Sequence, residues 1–399
     1  MEKCYACSDK VNEIFDAGMH PISNRYLTDK NNKEYTFQLI LGQCDGCGLV
    51  QLTSLVPYKN LTPMYDWVTY NEPETHLDNL VEIINNLPGI NNKSRICGLS
   101  YKEKSTLKRL NNLGYNNTWG IDLYEDLHIQ NTNAGIETLQ EVIIHSDVLD
   151  SILSKHGKSD IVIARHILEH SYDIKNFMNA IKRLVSKSGY VVFEIPDCTK
   201  VFNSLDYSTI WEEHIIYFTP ETFKNTLDMG GFNLIHFEQY PYPYEDSLVA
   251  IVTTEKATNK NQDINVEKER NVMNIFAKEF DNRRKVLNNF LSSFRKENGK
   301  IAIFGAGHSA CMFINLMGIK DFIEFAVDDH PNKRGLFIPG SKLPIYNSSY
   351  LKKKNIKLCL LSLSPESERK VINNNKEFIR SGGRFFSIFP KSNYALQIS

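Results

Sequence analysis

Two C-x2-C pairs near the N-terminus restrict the fold of this chain more than any other feature of its sequence. The pairs are Cys4 with Cys7 and Cys44 with Cys47. Each pair places two thiolates on one tight turn, and two such turns supply the four sulfur ligands of a tetrahedral zinc site. Four unrelated cysteines are the alternative, which the repeated spacing disfavours. We therefore predict a zinc-binding module over residues 1–72, whose metal is structural because four protein thiolates leave no coordination position open.

The composition of the 399 residues is that of a globular protein, with 42% hydrophobic and 23% charged residues. Single cores stop growing at about 250–300 residues, so we expect two or three domains. A formal net charge of -1 disfavours a nucleic-acid partner, which normally demands a basic excess. No apolar run approaches the ~20 residues that span a bilayer, and the first residues, MEKCYACSDK, lack the apolar core of a signal peptide. We predict a cytoplasmic protein without a membrane partner, in which paired cysteines indicate metal rather than disulfide. The oligomeric state stays open.

Helix and strand patterns alternate from residue 73 to residue 255. Short β-rich runs such as DIVIA at residues 160–164 are separated by amphipathic stretches of helical period. Successive βα units with short links predict a doubly wound, mainly parallel sheet whose last strands are antiparallel. Asp122 lies near the end of one predicted strand, and Asp147 lies just beyond another at residues 141–145.

The rest of the chain predicts a helical linker and a second α/β domain. Residues 256–298 are highly charged with apolar residues at roughly helical spacing, so we expect one long helix or a helical pair. Residues 299–399 begin with a strand, the turn Gly305-Ala-Gly-His-Ser-Ala310 and a helix. Glycines there let a backbone approach a phosphate at a helix N-terminus, with Asp328 in the ribose-binding position. A glycine turn that only packs strand on helix explains the pattern equally well.

Acid and base groups are concentrated after the apolar run at residues 189–195. Glu212, Glu213, His214 and Tyr217 follow this run within one short stretch, in the region where open α/β sheets place their chemistry. Histidine suits proton transfer because its ordinary pKa lies near working pH. Taken alone, a histidine in such a stretch is more often packed or on the surface than catalytic.

With these parts in order, the chain resembles the sugar C-methyltransferases that act on nucleotide-linked 4-keto deoxysugars. The matching blocks are the cysteine pairs with Pro21-Ile-Ser-Asn24 between them, Ala164-Arg-His-Ile-Leu-Glu-His170, Phe193-Glu-Ile-Pro196, Glu213-His214 before Tyr217-Phe218, and Val327-Asp-Asp-His-Pro-Asn-Lys-Arg-Gly335. The resemblance covers nearly the whole chain. It implies an α/β protein with a small N-terminal zinc module, a central doubly wound class I methyltransferase-like sheet and a C-terminal Rossmann-like α/β domain.

The resemblance also implies an enzyme that takes a nucleotide-diphosphate sugar. A base removes the C3 proton beside the 4-keto group, and the enolate attacks the methyl sulfonium of S-adenosylmethionine. His214 matches the base, with Glu213 orienting or tuning it and Tyr217 in the same block. The implied cofactor-binding residues are Gly98, Asp122, Asp147 and His166. The implied substrate-binding residues are Tyr65, Trp67, Tyr70, Trp211, Gly305, Gly307, His308, Asp328 and Lys333.

Three departures from the family pattern keep other functions open. The cofactor loop after the first strand of the central sheet has Ile96 in place of an acid and Lys102 in place of a glycine, which removes the close backbone approach that glycine permits. Trp211 stands where the family commonly has tyrosine, and Trp67 replaces another expected aromatic residue. The C-terminal glycine turn differs from the family's Gly-Ala-x-x-Lys-Gly. The alternatives to C-methylation are another proton transfer on a nucleotide sugar, such as epimerisation or elimination, and a non-catalytic nucleotide-sugar binding protein.

Overall fold

Three β-sheets form the framework of the protein in the computed structural model, which describes residues 2–68, 72–131, 133–255 and 265–397. The strands are β1 Val11–Pro21, β2 Thr36–Cys44, β3 Val50–Leu52, β4 Ile96–Gly98, β5 Thr118–Gly120, β6 Ser159–Arg165, β7 Val185–Asp197, β8 Ile216–Tyr217, β9 Asn233–Tyr240, β10 Asp246–Thr253, β11 Lys300–Phe304, β12 Ile323–Val327, β13 Ile345–Tyr346, β14 Ile356–Leu361 and β15 Arg384–Ser387. The α-helices are α1 Tyr58–Leu61, α2 Leu77–Asn85, α3 Lys104–Asn112, α4 Ile136–Ile143, α5 Ser146–His156, α6 Ile174–Leu184, α7 Thr199–Ser204, α8 Pro220–Met229, α9 Val266–Glu297, α10 His308–Met317, α11 Tyr350–Lys353, α12 Pro365–Asn374 and α13 Lys376–Arg380. This mixture confirms the predicted α/β class.

The central sheet has the strand order β5-β4-β6-β7-β10-β9. Its strands β5, β4, β6 and β7 are parallel, whereas β10 runs antiparallel to both of its neighbours. Ile161, Val162 and Ile163 of β6 are fully buried, because parallel strands are covered by helices on both faces. Helix α2 packs on one face, and helices α4 and α6 pack on the other. The predicted doubly wound sheet with late antiparallel strands is confirmed.

The strand predicted at residues 141–145 is wrong. This stretch forms the end of helix α4 and the turn before α5, and Leu139 and Ile143, one helical turn apart, are both buried. A short apolar run does not by itself distinguish a strand from a buried helix. Asp147 therefore lies exposed in the first turn of α5 and not beyond a strand end.

The N-terminal sheet contains a strand from the central part of the chain. Its order is β1-β2-β3-β8, with Val50 opposite Tyr217 and Gln51 opposite Ile216 in antiparallel pairing. A strand of two residues carries no periodic signal, so the sequence did not predict this pairing. The loop that carries Glu213 and His214 consequently ends in a strand held by the cysteine-bearing module.

Helix α9 lies between the central and C-terminal parts, and residues 256–264 before it lie outside the described residues. Its apolar face is buried rather than solvated. Phe276 lies 4.3 Å from Tyr207 between ring centroids, and Phe280 lies 4.7 Å from Phe15. Full burial of one such side chain contributes about 1.5–3 kcal/mol, so α9 is packed firmly against both preceding parts. Among the described residues, no helix has the length and apolar character needed to cross a bilayer.

The C-terminal sheet has the order β13-β12-β11-β14-β15, with all pairs parallel. The glycine turn joins β11 to α10, as expected for a Rossmann-like unit. Gly305 has a φ of +96°, and a Cβ there would lie 2.3 Å from the backbone oxygen of Ser362. Glycine at this position is therefore required by strand-to-strand packing, which supports the packing explanation for the first glycine of the turn.

Candidate active site

The cysteines form one cluster with the geometry of a tetrahedral metal site. The Sγ atoms of Cys4 and Cys47 lie 3.5 Å apart, those of Cys7 and Cys44 lie 3.3 Å apart, and all four fall within 4.8 Å of one another. Sulfurs bound to one zinc ion at about 2.3 Å lie roughly 3.8 Å apart. The donor set thus fits zinc, and four thiolates leave no position open for a substrate, so the metal would be structural.

A cavity of about 710 Å³ lies where the three parts of the chain meet. The N-terminal part contributes Asn24, Tyr26 and Trp67 to its wall, the central part contributes Lys102, Glu137, His170, Trp211, Glu213 and His214, and the C-terminal part contributes Gly307, His308, Asp328, His330 and Lys333. A cavity of this size, with aromatic residues and several convergent charged groups on its wall, is a candidate small-molecule site. Eight residues named from the sequence line it: Trp67, Trp211, Glu213, His214, Gly307, His308, Asp328 and Lys333.

His214 lies on this wall with its ring 4.9 Å from that of His170 and 5.2 Å from that of Trp211. Burial holds the pKa of His214 well below its ordinary value, and the neighbouring imidazole of His170 lowers it further. Since His214 is then neutral at pH 7, one ring nitrogen has a free lone pair. His214 can therefore act as a proton acceptor within a cavity.

The N-terminal module holds the two carboxyl groups that precede His214. Glu212 accepts hydrogen bonds from the backbone N–H of Ser23 at 2.6 Å and from its hydroxyl at 2.8 Å. Asn24 donates its Nδ2–H to Oε1 of Glu213 at 2.8 Å. Ser23 and Asn24 thus form hydrogen bonds with Glu212 and Glu213. The loop that carries these glutamates is therefore held by residues of the N-terminal module. In the sequence, Asn24 stood out only as the last residue of the block Pro21-Ile-Ser-Asn24. The hydrogen bond to Glu213 shows that its side chain helps to position this carboxyl group.

Glu137 and His170 lie beside this loop, and neither was among the site residues predicted from the sequence. Nδ1 of His170 is 2.8 Å from a carboxylate oxygen of Glu137, and both side chains are buried. Glu137 was missed because the strand predicted at residues 141–145 is in fact the end of α4, the helix that carries Glu137. Its position on α4 places a second carboxylate near Glu213.

Three of the predicted catalytic and substrate-binding residues lie off the cavity wall. Tyr217 is 1% exposed, and its hydroxyl is bonded to the backbone of Trp211, accepting from N–H at 3.1 Å and donating to the carbonyl at 3.3 Å. Tyr65 stacks on Trp67 at 4.8 Å and lines a neighbouring cavity of about 420 Å³. Gly305 serves the packing described above. Tyr70 lies outside the described residues.

The residues around Gly98 do not form a glycine-lined cofactor loop. A Cβ on Gly98 would lie 2.8 Å from the Cβ of Glu103, so the chain itself fills the space beside this glycine. The Glu103 carboxylate accepts the backbone N–H of Ser100 at 2.6 Å and of Arg165 at 2.7 Å. Lys102 is ion-paired with Glu72 at 2.5 Å.

The other predicted cofactor positions agree only in part with a bound S-adenosylmethionine. Asp122 follows β5 and is exposed, with one carboxylate oxygen accepting the N–H groups of Tyr124 and Glu125. The described residues add no strand beyond β5 at this edge of the sheet, and Asp147 lies on a helix. Asp122 thus keeps its predicted place after a strand, whereas the loop after β4 and Asp147 do not fit the family's usual way of holding this cofactor.

His166 belongs to a buried ion cluster instead of lining an open pocket. Its Nε2 lies 3.1 Å from Oε1 of Glu194, and its Nδ1 lies 3.5 Å from Glu169. Burial alone would lower the pKa of His166, but the carboxylates of Glu72, Glu169 and Glu194 outweigh it and raise the pKa to about 10. Arg165 is also paired with Glu194. This cluster closes the carboxyl end of β6.

Comparisons with known proteins agree with this architecture. The family model described as "Putative zinc binding domain" matches residues 4–61, that described as "Methyltransferase domain" matches residues 77–237, and that described as "C-methyltransferase C-terminal domain" matches residues 243–390. The C-methyltransferase NovU of Streptomyces niveus is 22% identical over 410 residues, which cover 98% of this chain and 96% of NovU.

Solved structures of methyltransferases are similar to less than half of this chain. One is the Burkholderia thailandensis 1,6-didemethyltoxoflavin-N1-methyltransferase, at 10% identity and a TM-score of 0.30, covering 45% of this chain and 79% of that chain. Another is an S-adenosylmethionine-dependent methyltransferase of Clostridium acetobutylicum, at 11% identity and a TM-score of 0.31, covering 46% and 92%.

The fold and the three matched domains define an enzyme of the S-adenosylmethionine-dependent methyltransferase class with an added zinc-binding module. Within that class, the C-terminal match and the full-length relative make the chain similar to C-methyltransferases.

Proposed function

We propose that the cavity binds a nucleotide-linked 4-keto deoxysugar and that His214 removes the proton at C3, the step that prepares this carbon for C-methylation. One observation supports this most directly: a neutral histidine lies on the wall of a cavity to which all three parts of the chain contribute. S-adenosylmethionine supplies the methyl group in this family when it is bound.

The proton transfer requires a neutral base and an acidified C–H bond. A ketone acidifies the hydrogen on the adjacent carbon, because the electron pair left behind moves onto the carbonyl oxygen. His214 is already neutral at pH 7, since burial and His170 hold its pKa down, and it takes the proton on its free ring nitrogen. Trp211, whose ring lies 5.2 Å from that of His214, supplies a flat apolar wall for the sugar ring.

The C-terminal wall suits the diphosphate of the substrate. Helix α10 begins at His308 next to the cavity, and the N–H groups of a helix N-terminus attract anions. Lys333 lies on the same wall, 2.9 Å from Oδ2 of Asp328. The Asp328 carboxylate in turn accepts the N–H of Ala306 at 3.0 Å, so it positions both the lysine and the glycine turn.

The test is solvent exchange at C3 in the absence of a methyl donor. We expect the wild-type protein, incubated in D2O with thymidine diphosphate 4-keto-6-deoxyglucose, to replace the C3 hydrogen with deuterium, as followed by proton NMR. A protein-free sample gives the background rate. Wild-type exchange equal to that background, by folded and zinc-loaded protein, would show that the cavity does not perform this proton transfer.

A second candidate is a proton transfer without methylation, such as epimerisation at C3. The observation that favours it is the closed cofactor edge, where Lys102 is paired with Glu72 and Glu103 fills the space beside Gly98. The same exchange assay detects this activity, and the product distinguishes the two: a C-methyl sugar in the presence of S-adenosylmethionine, or an epimer without it.

Replacing Lys333 by alanine should weaken binding of the same probe by about 10–100-fold, since a hydrogen bond to a charged group contributes about 1.5–3 kcal/mol and each 1.4 kcal/mol is tenfold. The exchange rate at saturating probe should change far less, because Lys333 holds the diphosphate and not the reacting carbon. Calorimetric titration measures the affinity. Lys320→Ala, at an exposed position, is the matched control, and equal affinities for the two variants would remove Lys333 from the binding site.

A further inference from the structure

The proposed proton transfer leaves one chemical requirement without an assigned group. When His214 takes the C3 proton, negative charge develops on the C4 oxygen, and a hydrogen-bond donor must meet it. The phenol of Tyr217 is already engaged with both backbone groups of Trp211 and is buried away from the cavity. The donor must therefore come from another side chain on the wall near His214.

We propose that Glu213 is this donor, acting as a neutral carboxylic acid that hydrogen-bonds first to the ketone oxygen and then to the enolate oxygen. This role rests on the proposed proton transfer by His214 and deepens it. Glu213 precedes His214 in the chain, and both side chains line the same cavity. A substrate ketone can thus lie between the two, with its C3–H toward the imidazole.

The contacts of Glu213 are those of a neutral acid. Its side chain is 7% exposed, and the ion pairs found among the described residues include none to it. Asn24 donates to Oε1, which leaves Oε2 to carry the proton. A carboxylate of Glu137 lies within 4.8 Å in the group it forms with His170 and Glu213. When two carboxyl groups lie this close together in a buried site, keeping both of them ionised costs much free energy.

Charged side chains on several neighbouring elements affect the pKa of Glu213. Burial has the largest effect and raises the pKa of Glu213 well above its ordinary value, and the carboxylates of Glu137 on α4 and of Glu212 raise it further. Lys102 from the altered loop and Arg25 from the N-terminal module act in the opposite direction but do not outweigh them. Of the two imidazoles nearby, His170 is bound to Glu137 and His214 is neutral.

The step balances without a further reactant. The C3–H bond breaks, its proton moves to the ring nitrogen of His214, and its electron pair forms the C3–C4 double bond of the enolate. The carbonyl π electrons move onto the C4 oxygen, which accepts the hydrogen bond from the carboxylic acid of Glu213. Return of the proton, or of deuterium from D2O, to C3 restores the ketone.

The pH dependence gives a signature that a structural role would not produce. The pKa of His214 is depressed, so activity is present above it and is lost as pH falls through it. The pKa of Glu213 is raised, so its donor form is present below it and is lost as pH rises through it. The C3 exchange rate of the wild type should therefore fall at both ends of the pH range, with the alkaline fall set by Glu213.

Two substitutions test this assignment with the same deuterium-exchange assay. Glu213→Gln keeps an N–H donor that does not titrate, so the exchange should persist within about tenfold of wild type and the alkaline fall should disappear. Glu213→Ala removes the donor and should lower the exchange rate at saturating probe by about 10²–10³-fold. Glu221→Gln, in the first turn of α8 and away from the cavity lining, is the control.

The outcomes separate the donor role from the proposed function itself. An alkaline fall that persists unchanged in Glu213→Gln, or an alanine variant as fast as wild type, would overturn the donor role while leaving proton transfer by His214 intact. Should the alanine variant fail to fold, the pH profile of the glutamine variant decides alone. Wild-type protein without any exchange would remove the proposed function and the donor role together.

Discussion

Replacing His214 by alanine should lower the C3 exchange rate of thymidine diphosphate 4-keto-6-deoxyglucose by about 10²–10⁴-fold, the usual contribution of a positioned general base. His214 is the neutral imidazole on the cavity wall, since burial and His170 hold its pKa well below its ordinary value. Its removal takes away the proton acceptor but leaves Lys333 and the N-terminus of α10 in place. The affinity of the probe should therefore change far less than the rate. Deuterium incorporation at saturating probe measures the first quantity, and calorimetry measures the second.

Chemical rescue distinguishes a missing base from a damaged fold. The alanine variant leaves an imidazole-sized gap in a cavity of about 710 Å³, so free imidazole in the buffer should restore part of the exchange. His145→Ala, at an exposed position before α5, controls for the loss of a histidine elsewhere and should exchange at the wild-type rate. If His214→Ala exchanges as fast as wild type, the base is a different residue and the proposed mechanism fails.

The sequence was most informative where spacing is local. The two cysteine pairs are each separated by two residues, and their thiols do meet in one cluster. The parallel sheet followed from long apolar runs such as that of β6, which both faces of a sheet bury. The acidic and basic residues after β7 were predicted to gather in a loop, and Glu213 and His214 do line the cavity. Each of these features is encoded within a few neighbouring residues.

Contacts between distant segments were beyond the sequence. The hydrogen bond from Asn24 to Glu213 joins residues 189 positions apart, and the pairing of β8 with β3 joins two parts of the chain that were expected to be separate. Tyr217 looked like a member of the acid/base group because of its position in the chain, whereas strand pairing directs it into the core. Such contacts depend on packing between domains, which no local pattern specifies.

The cofactor edge shows how a changed loop is compensated by side chains. Ile96 stands where the family has an acid at the start of this loop. Glu103, farther along the loop, accepts the N–H groups of Ser100 and Arg165. Burial raises the pKa of Glu103, and these hydrogen bonds together with Arg165 act against that rise. The sequence shows that the loop lacks a glycine that the family has. It does not show that Glu103 fills the space beside Gly98, because the Arg165 N–H that Glu103 accepts lies on another strand.

Replacing Cys44 by serine should remove the bound metal, from about one zinc ion per chain to a small fraction of that, because a tetrahedral thiolate site that loses one ligand loses most of its affinity. Metal binding at such sites contributes about 10–16 kcal/mol in small zinc modules, so the N-terminal sheet should become the first part of the protein to unfold. Elemental analysis of purified protein measures the zinc, and thermal denaturation followed by circular dichroism measures the stability. Cys359→Ala, in the C-terminal sheet, should keep the full zinc content.

The loss of zinc should also abolish proton exchange at C3, although the cysteines do not line the cavity. The module reaches the active loop through two connections: Ser23 and Asn24 hold the glutamates before His214, and β3 pairs with β8 directly after it. Once the module unfolds, the carboxyl of Glu213 and the ring of His214 lose the contacts that keep them facing the same substrate. A zinc-free Cys44→Ser protein that still exchanged at the wild-type rate would show that the loop keeps its conformation without the module, and the metal would then serve only the stability of its own sheet.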